Sequence, residues 1–209
     1  MLLLLSLLAL GGCASLPETP DSSTVPSTEV ALDRDAQRLD LWLARQGEMQ
    51  KLNTWRSEGR AAIIAQNGGG QISFDWLYTP QNQVLNIKTP LGQNAMQLTI
   101  NPGGVTLIDQ EGQVTQGDDG EAMLNEALGW SVPFESLRAW LLGLTATEDD
   151  SYTLDAQGRL LTLESQGWSI EYKRYSDMNH LGVSISLPSK FELRRSEMTL
   201  RLVIDRWTL

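Results

Sequence analysis

The chain has few of the side chains on which covalent cross-links and enzyme catalysis depend. Its 209 residues include one cysteine and one histidine, so it cannot form an internal disulfide and has no second histidine to offer a catalytic or metal cluster. Only 16 residues are basic against 26 acidic ones, which gives a net charge of −10. Because nucleic-acid binding requires a concentrated basic face, this composition argues against a nucleic-acid partner.

The motifs of common enzyme classes are also missing. No Gly-x-Ser-x-Gly nucleophile motif occurs, and Gly68-Gly69-Gly70 lacks the Lys-Ser/Thr that completes a phosphate-binding loop. His180 lies in the segment 177–180, which we interpret as a solvated hairpin loop. The pairs Asp118-Asp119 and Asp149-Asp150 lie in turn-like contexts where helix capping or solvation explains them. We therefore expect no enzyme, metal or cofactor site, and a carboxylate-dependent hydrolase stays open as an alternative.

The amino terminus predicts export and lipid anchoring. No lysine or arginine precedes Cys13, but an apolar run from Leu2 to Gly12 leads up to it. This run has the layout of a secretory signal and is too short to span a bilayer as a helix. Small residues followed by a cysteine are the processing site of bacterial lipoproteins, so we predict a signal peptide at 1–12 and a lipid anchor on Cys13. Ala14 stands where aspartate would retain a lipoprotein in the inner membrane, which favours the outer membrane.

A flexible tether is predicted to follow the anchor, over residues 13–31. Pro17, Pro20 and Pro26 lie there among polar residues, and such a composition cannot bury enough apolar surface to fold. A flexible chain of this length reaches on the order of 25 Å. Residues 32–209 are then the size of one domain with a single core.

The hydrophobic pattern of this domain predicts a mainly β fold with a few helices. Residues 32–52 have the three- and four-residue spacing of an amphipathic helix, and shorter helices are predicted near 119–128 and 134–142. Elsewhere the period is two, in short runs separated by turn residues, which indicates an antiparallel meander of eleven or twelve strands. So many strands must curl, so we expect a barrel or curved half-barrel whose open side the helices cover. The predicted strands are 54–66, 71–79, 83–89, 94–101, 104–109, 112–117, 151–155, 159–166, 168–175, 182–188, 190–195 and 198–207.

Seven tryptophans and one exposed loop are the features with the most functional interest. A curved sheet lined with large apolar residues can be an ordinary core or a cavity for an apolar ligand, and pattern alone leaves both open. The loop 89–93 has Leu91 as its one large apolar side chain, between Pro90 and Gly92. Leu91 is either folded back onto the core or displayed to a partner.

Four segments with distinctive motifs resemble one known family in order and spacing. They are TPLG at 89–92, SLRAWLLGL at 136–144, GWSIEY at 167–172 and LRLVIDRW at 200–207. Together with Cys13, they resemble the LolB family of outer-membrane lipoprotein receptors. The chain departs from the family at Thr145-Ala146, where relatives often have Pro-Gly.

The resemblance implies an antiparallel half-barrel of eleven strands with a helical lid, anchored by lipid to the periplasmic face of the outer membrane. It implies a monomer that accepts acylated lipoproteins from the periplasmic carrier LolA and inserts them into the inner leaflet, without ATP or cofactor. The loop of Pro90, Leu91 and Gly92 would contact the bilayer. Strand parity adds a hypothetical acyl-chain cavity. Its predicted residues are Trp76, Ile87, Met96, Leu98, Trp140, Leu141 and Trp168. A lipoprotein that only scaffolds other envelope proteins is the main alternative.

Overall fold

One antiparallel sheet of eleven strands frames the structure. The computed structural model describes residues 27–66, 68–129 and 131–209, and the predicted signal peptide, Cys13 and most of the tether lie outside them. The strands pair in the order β6-β5-β4-β3-β2-β1-β11-β10-β9-β8-β7, so two meanders join where β1 pairs with β11. The strands are β1 (Trp55–Ala65), β2 (Gly68–Tyr78), β3 (Gln83–Lys88), β4 (Asn94–Asn101), β5 (Gly104–Asp109), β6 (Val114–Gly117), β7 (Ser151–Leu154), β8 (Leu160–Ser165), β9 (Trp168–His180), β10 (Val183–Arg195) and β11 (Met198–Thr208).

In the part of the chain that the structure describes, three helices accompany the sheet: α1 (Ser27–Gln50), α2 (Gly120–Leu128) and α3 (Phe134–Leu141). The α1 helix begins five residues before the predicted start at residue 32, so the last residues of the predicted tether, 27–31, are helical. The caps of the short helices match the sequence. Asp119 accepts a hydrogen bond from the Ala122 amide at 2.9 Å, and Gly129 ends α2 in the left-handed region with φ 74°.

The predicted mainly β fold is confirmed, and the sheet is open. Its two edge strands, β6 and β7, stand at opposite ends of the strand order and do not pair with each other. A bulge at Gly59 interrupts the central β1–β11 pairing. A side chain there would lie 2.3 Å from the Val203 carbonyl oxygen, so only glycine allows this close approach of the two strands.

The two faces of the sheet have opposite chemistry because side chains alternate along each strand. Along β1, Trp55, Ala61 and Ile63 are buried on the inner face, whereas Arg56 and Arg60 are exposed on the outer face. The helices cover the inner face. Trp42 and Met49 of α1, and Trp140 of α3, are nearly inaccessible there. In the described ranges, no helix has the length and apolar character needed to cross a membrane.

Two sequence predictions about the β9–β10 hairpin were wrong. The predicted strands 182–188 and 190–195 are one strand, β10, which passes through Pro188 at a bulge. A proline can lie there because a bulge residue need not donate to the ladder, and its carbonyl accepts a hydrogen bond from Trp207 Nε1 at 3.0 Å. The segment 177–180 is likewise strand and not loop. The turn falls at Leu181 and Gly182, so His180 pairs with Val183.

Candidate functional site

An apolar cavity lies between the inner face of the sheet and the two short helices. Its volume is about 60 Å³, and every side chain around it is apolar. The sheet supplies eight of the lining residues, and the segment from α2 to α3 supplies six. They are Ala61, Ile72, Phe74, Trp76, Leu85, Ile87, Leu200 and Leu202 from the sheet, and Leu124, Leu128, Val132, Phe134, Leu137 and Leu141 from the helical segment.

The size and lining of this cavity decide what it can hold. About 10–15 Å³ is enough for a water molecule, but water also needs two to four polar partners, and the lining provides none. The site therefore favours hydrocarbon. Pockets for organic ligands typically measure about 300–1,000 Å³, so a cavity of about 60 Å³ cannot take a fatty-acyl chain without movement of its walls.

The segment 119–142, which we call the lid, forms the wall of the cavity opposite the sheet. Glu121 on α2 accepts a hydrogen bond from the Phe134 amide at 2.9 Å, and Asn125 accepts one from the Val132 amide at 3.0 Å. The first of these bonds satisfies a free amide at the start of α3, where Pro133 provides no side-chain cap. Because both bonds join α2 to the start of α3, the two helices are held as one unit.

The lid is closed by an aromatic contact. Phe134 stacks on Trp76 of β2 with 4.5 Å between ring centroids and 22° between planes. Trp76 in turn contacts Trp55 edge to face at 5.5 Å. Such pairs add about 0.5–1.5 kcal/mol to simple burial.

The carboxyl end of the lid is fixed more firmly. The buried Tyr172 hydroxyl donates to the Trp140 carbonyl at 2.9 Å, and the Trp140 ring lies 6.3 Å from that of Trp168. Burial raises the pKa of Tyr172 well above its usual value of 10, so the hydroxyl keeps the proton that it donates. Gly143 then ends α3 with φ 70°. Its missing side chain leaves room for Pro188, which a Cβ would approach to 3.1 Å.

The predicted cavity residues fall into three groups. Trp76, Ile87 and Leu141 line the cavity. Met96 lies instead in a second groove, between β4, β5 and α2. Leu98, Trp140 and Trp168 are buried in the core outside the cavity lining. A contact with an acyl chain stays a prediction for all seven.

Three of the fourteen lining residues were predicted from the sequence, and the other eleven, six on the sheet and five on the lid side, were not. Leu124, Leu128 and Leu137 line the cavity from the helices, and a spacing of four between the first two could have identified a common apolar face. Ala61 and Ile72 face the cavity from β1 and β2. Their parity along the strands was visible, but their small or ordinary side chains gave no reason to select them.

The predicted insertion loop displays Leu91 rather than burying it. The Leu91 side chain is 88% exposed. The loop closes through bonds from the Thr89 amide to the Gln93 carbonyl at 2.9 Å and from the Gly92 amide to the Thr89 carbonyl at 2.8 Å. Pro90 fits the second position of this turn, and Gly92 has φ 81°, a conformation that glycine adopts without strain. The turn therefore holds one leucine out in water.

Comparison with known proteins identifies the family. The family model described as outer membrane lipoprotein LolB matches residues 53–207. The chain belongs to the LolB family. The outer-membrane lipoprotein LolB of Vibrio campbellii is 30% identical over 213 residues, covering 100% of this chain and 96% of that protein. The LolB of Pseudomonas aeruginosa strain LESB58 is 34% identical over 168 residues, covering 79% and 80% of the two chains.

The fold is similar to that of a solved protein with little sequence identity to this chain. A DUF1329 family protein from Desulfovibrio piger aligns with a TM-score of 0.54 at 9% identity, covering 82% of this chain and 91% of that one. A LolA superfamily protein from Nitrosomonas europaea aligns with a TM-score of 0.46 at 12% identity, over 79% and 93% of the two chains. At 9% identity, the likeness to the Desulfovibrio protein concerns the fold alone.

Proposed function

We propose that this LolB family member is an outer-membrane receptor that accepts acylated lipoproteins from the soluble periplasmic carrier LolA. It inserts them into the inner leaflet of the outer membrane and is itself anchored there by lipid on Cys13. The observation that carries this proposal is the wholly apolar cavity beneath a two-helix lid. The LolB names of the relatives support it.

The physical need for such a cavity comes from the cargo. Each buried methylene contributes roughly 0.8 kcal/mol, so acyl chains cannot cross an aqueous space unshielded. A receptor needs no ATP if each successive site binds the chains more tightly, since about 1.4 kcal/mol gives a tenfold preference. The chemistry of the lining fits a binding role without catalysis, because it presents only hydrocarbon and aromatic groups to the ligand.

In this mechanism the lid moves as one body. Acyl chains replace the contact between Phe134 and Trp76, while the bonds of Glu121 and Asn125 keep α2 and α3 together. The bond between Tyr172 and Trp140 holds the far end. Leu91, displayed at a sheet end, enters the bilayer surface when the cargo is released. Opening of the lid therefore breaks one aromatic contact and separates the side chains that pack around the small cavity.

The scaffold alternative has one observation in its favour. A scaffold is expected to have a packed interior, and about 60 Å³ of free space is close to that state. Capture of cargo distinguishes the two functions. Purified LolA loaded with a triacylated lipoprotein is mixed with the unlipidated Cys13→Ala chain, and the complex is isolated by an affinity tag on the receptor. We expect near-stoichiometric transfer, and its absence in a folded chain would favour the scaffold.

A variant that fills the cavity tests the site itself. Ala61 lines the cavity from β1, whereas its neighbour Ala62 lies on the other side of the strand. We expect Ala61→Leu to reduce capture at least tenfold and Ala62→Leu to leave it unchanged. Equal capture by both variants would contradict the assignment of the cavity. Circular dichroism and urea unfolding confirm that each variant is folded.

A further inference from the structure

The negative charge of this chain is concentrated in one segment. Residues 89–137 contain seven of the 26 acidic residues and none of the 16 basic ones. We call this stretch the acidic segment. It makes up about a quarter of the chain and carries seven of its ten net negative charges. This distribution differs from the mixed surface that solubility alone requires.

The fold brings this segment together at one side of the sheet. Strands β4, β5 and β6 are consecutive at the sheet edge, and α2 packs on β4 and β5. Glu111, Asp118 and Glu126 are exposed, and no ion pair to any of them occurs in the described part of the chain. These three carboxylates are therefore available to a partner.

The edge strand of the acidic segment is free to pair. All four residues of β6 are exposed. The Asp109 amide donates to the Gln113 carbonyl, so these two residues form a hydrogen-bonded pair. Hydrogen-bonded and non-hydrogen-bonded pairs alternate along antiparallel strands. The backbone N–H and C=O groups of Val114 and Gln116 therefore point away from β5. Exposed edges are usually protected by lysine or proline, and Val-Thr-Gln-Gly has neither. In β7, the strand at the opposite edge, Tyr152 contacts α1, with 5.3 Å between its ring centroid and that of Trp42.

An apolar groove with an acidic rim adjoins this free edge. Met96, Leu107 and Met123 line it, and Glu111 and Glu126 lie at its border. The groove opens at the end of the sheet that carries the β3–β4 and β5–β6 turns, because antiparallel strands place alternate turns at the same end. The Leu91 loop is the first of these turns. Incoming cargo at the groove would thus be close to the point of release.

We infer that the free edge of β6 and the carboxylates around it form the docking surface for a basic strand of the lipoprotein carrier, which adds to the sheet. This inference rests on the proposed function for the identity of the partner. Charge complementarity selects a basic protein surface rather than an anionic lipid surface, which the seven carboxylates would repel. Strand addition satisfies the outward groups of Val114 and Gln116 and fixes the orientation of the partner.

A charge variant with a matched control tests the surface. The triple variant Glu111→Gln, Asp118→Asn and Glu126→Gln removes three exposed charges from the acidic segment. The control, Glu148→Gln, Asp149→Asn and Glu197→Gln, removes three exposed charges elsewhere. We expect the first variant to associate with cargo-loaded LolA about tenfold more slowly at low salt. The control should match the native chain, and 0.5 M NaCl should abolish the difference. Equal association rates for both variants at low salt would overturn the inference.

A proline variant tests strand addition. Gln116→Pro removes an outward N–H and leaves the ladder bonds of Thr115 and Gly117 to β5 in place. Gln116→Ala is its control, because it keeps the N–H and removes only the side chain. We expect Gln116→Pro to weaken the complex with LolA at least tenfold and Gln116→Ala to have little effect. Unchanged binding by Gln116→Pro would overturn strand addition.

Binding of empty LolA separates this inference from the proposed function. The affinity of the unlipidated Cys13→Ala chain for cargo-free LolA is measured by titration calorimetry, with the same variants. If the native chain binds LolA through these charges but captures no cargo, the receptor function fails and the docking surface stands. If it captures cargo normally and the charge and proline variants do the same, the function stands and the docking surface is wrong. Failure of the native chain to bind LolA would also overturn the docking surface.

Discussion

The acidic segment and the outer face of the central strands differ in how many of their charged side chains form ion pairs. We call the outer side of β1, β2, β9, β10 and β11 the paired face. There, Arg56 forms two hydrogen bonds with Asp75, at 2.7 and 2.5 Å, and Arg60 forms two with Asp205, at 3.0 and 2.9 Å. The acidic segment has one ion pair in the described residues, where Glu135 meets Arg138 from just outside it. Charged residues on the paired face form ion pairs within the fold, whereas the acidic segment has a single such pair among the described residues.

The interior of the two regions differs as well. Behind β9 and β10 the core is solid, with Phe191 stacked on Tyr172 at 5.5 Å between ring centroids. Beneath the lid, which belongs largely to the acidic segment, the apolar cavity remains. We therefore expect the region behind β9 and β10 to contribute more to stability than the lid, since functional elements usually come from the less stable parts of a fold.

The largest expected effect lies in the solid core. Phe191→Ala removes a ring that is 1% exposed, and such a truncation costs about 3–5 kcal/mol. Phe134→Ala removes an equally buried ring from the lid, which can settle toward the sheet. We expect the loss in free energy of unfolding to be smaller for Phe134→Ala, as measured by urea denaturation. A larger loss in free energy of unfolding for Phe134→Ala than for Phe191→Ala would show that the lid is the more rigid region.

The next effect concerns a carboxylate on the paired face. Glu192 is 8% exposed and forms ion pairs with both Arg194 and Arg201, the latter at 2.7 Å. Glu192→Gln leaves two guanidinium groups without their shared anion and should cost about 1–2 kcal/mol. Arg201→Gln, which leaves the pair with Arg194, is the milder control. Urea denaturation at neutral pH measures both.

The same carboxylate predicts a dependence on pH. Burial alone would raise the pKa of Glu192, but the hydrogen bond and charge of Arg201 and the charge of Arg194 lower it below its usual value of 4.5. Because the pKa is lower in the folded chain, its contribution is complete above pH 4.5 and disappears as the pH falls through the folded value. We expect native stability to fall below pH 4.5 more steeply than that of Glu192→Gln. If the free energy of unfolding fell equally steeply with decreasing pH in the native chain and in Glu192→Gln, this prediction would be wrong.

A smaller effect, this time a gain in stability, is expected at the tip of the β9–β10 hairpin. Leu181 has φ 52° and is 90% exposed, in a two-residue turn where asparagine before glycine is the favoured pair. Leu181→Asn should stabilise the fold by up to about 1 kcal/mol, because a leucine in the left-handed region is strained. Leu91 precedes Gly92 without such strain, so Leu91→Asn should not raise the melting temperature. An increase in melting temperature for both Leu181→Asn and Leu91→Asn would contradict the expected difference in backbone strain between the two turns.

The smallest effect should come from the acidic segment itself. Glu111, Asp118 and Glu126 have no ion-pair partner in the ranges that the structure describes. Their simultaneous neutralisation should change the free energy of unfolding by less than about 0.5 kcal/mol, since exposed residues contribute little and the one side-chain bond among them, from Gln110 Nε2 to Glu111, is exposed as well. A loss of unfolding free energy as large as that of Glu192→Gln would mean that these charges stabilise the fold. Calorimetric unfolding provides the comparison.

Local patterns predicted the elements of the fold well, and the cavity only in part. The alternation in β2 and β3 correctly placed Trp76 and Ile87 inside, because strand parity alone decides which face a residue occupies. Leu98 has the same parity on β4 but does not line the cavity. Which inner-face residues border the cavity depends on where the lid crosses the sheet. The contact of Phe134 with Trp76 sets that position, and no spacing in the sequence predicts it.

The sequence by itself determined the strands, the capped helices, the turn around Leu91 and the excess of negative charge. All of these follow from residues a few positions apart, where turn chemistry and alternation act directly. Only the tertiary structure decided that β1 pairs with β11, that the interior is nearly filled, and that unpaired carboxylates and a free strand edge share one side. These depend on contacts between distant residues, such as Arg60 with Asp205, whose free energy is gained only after the chain has closed into a sheet.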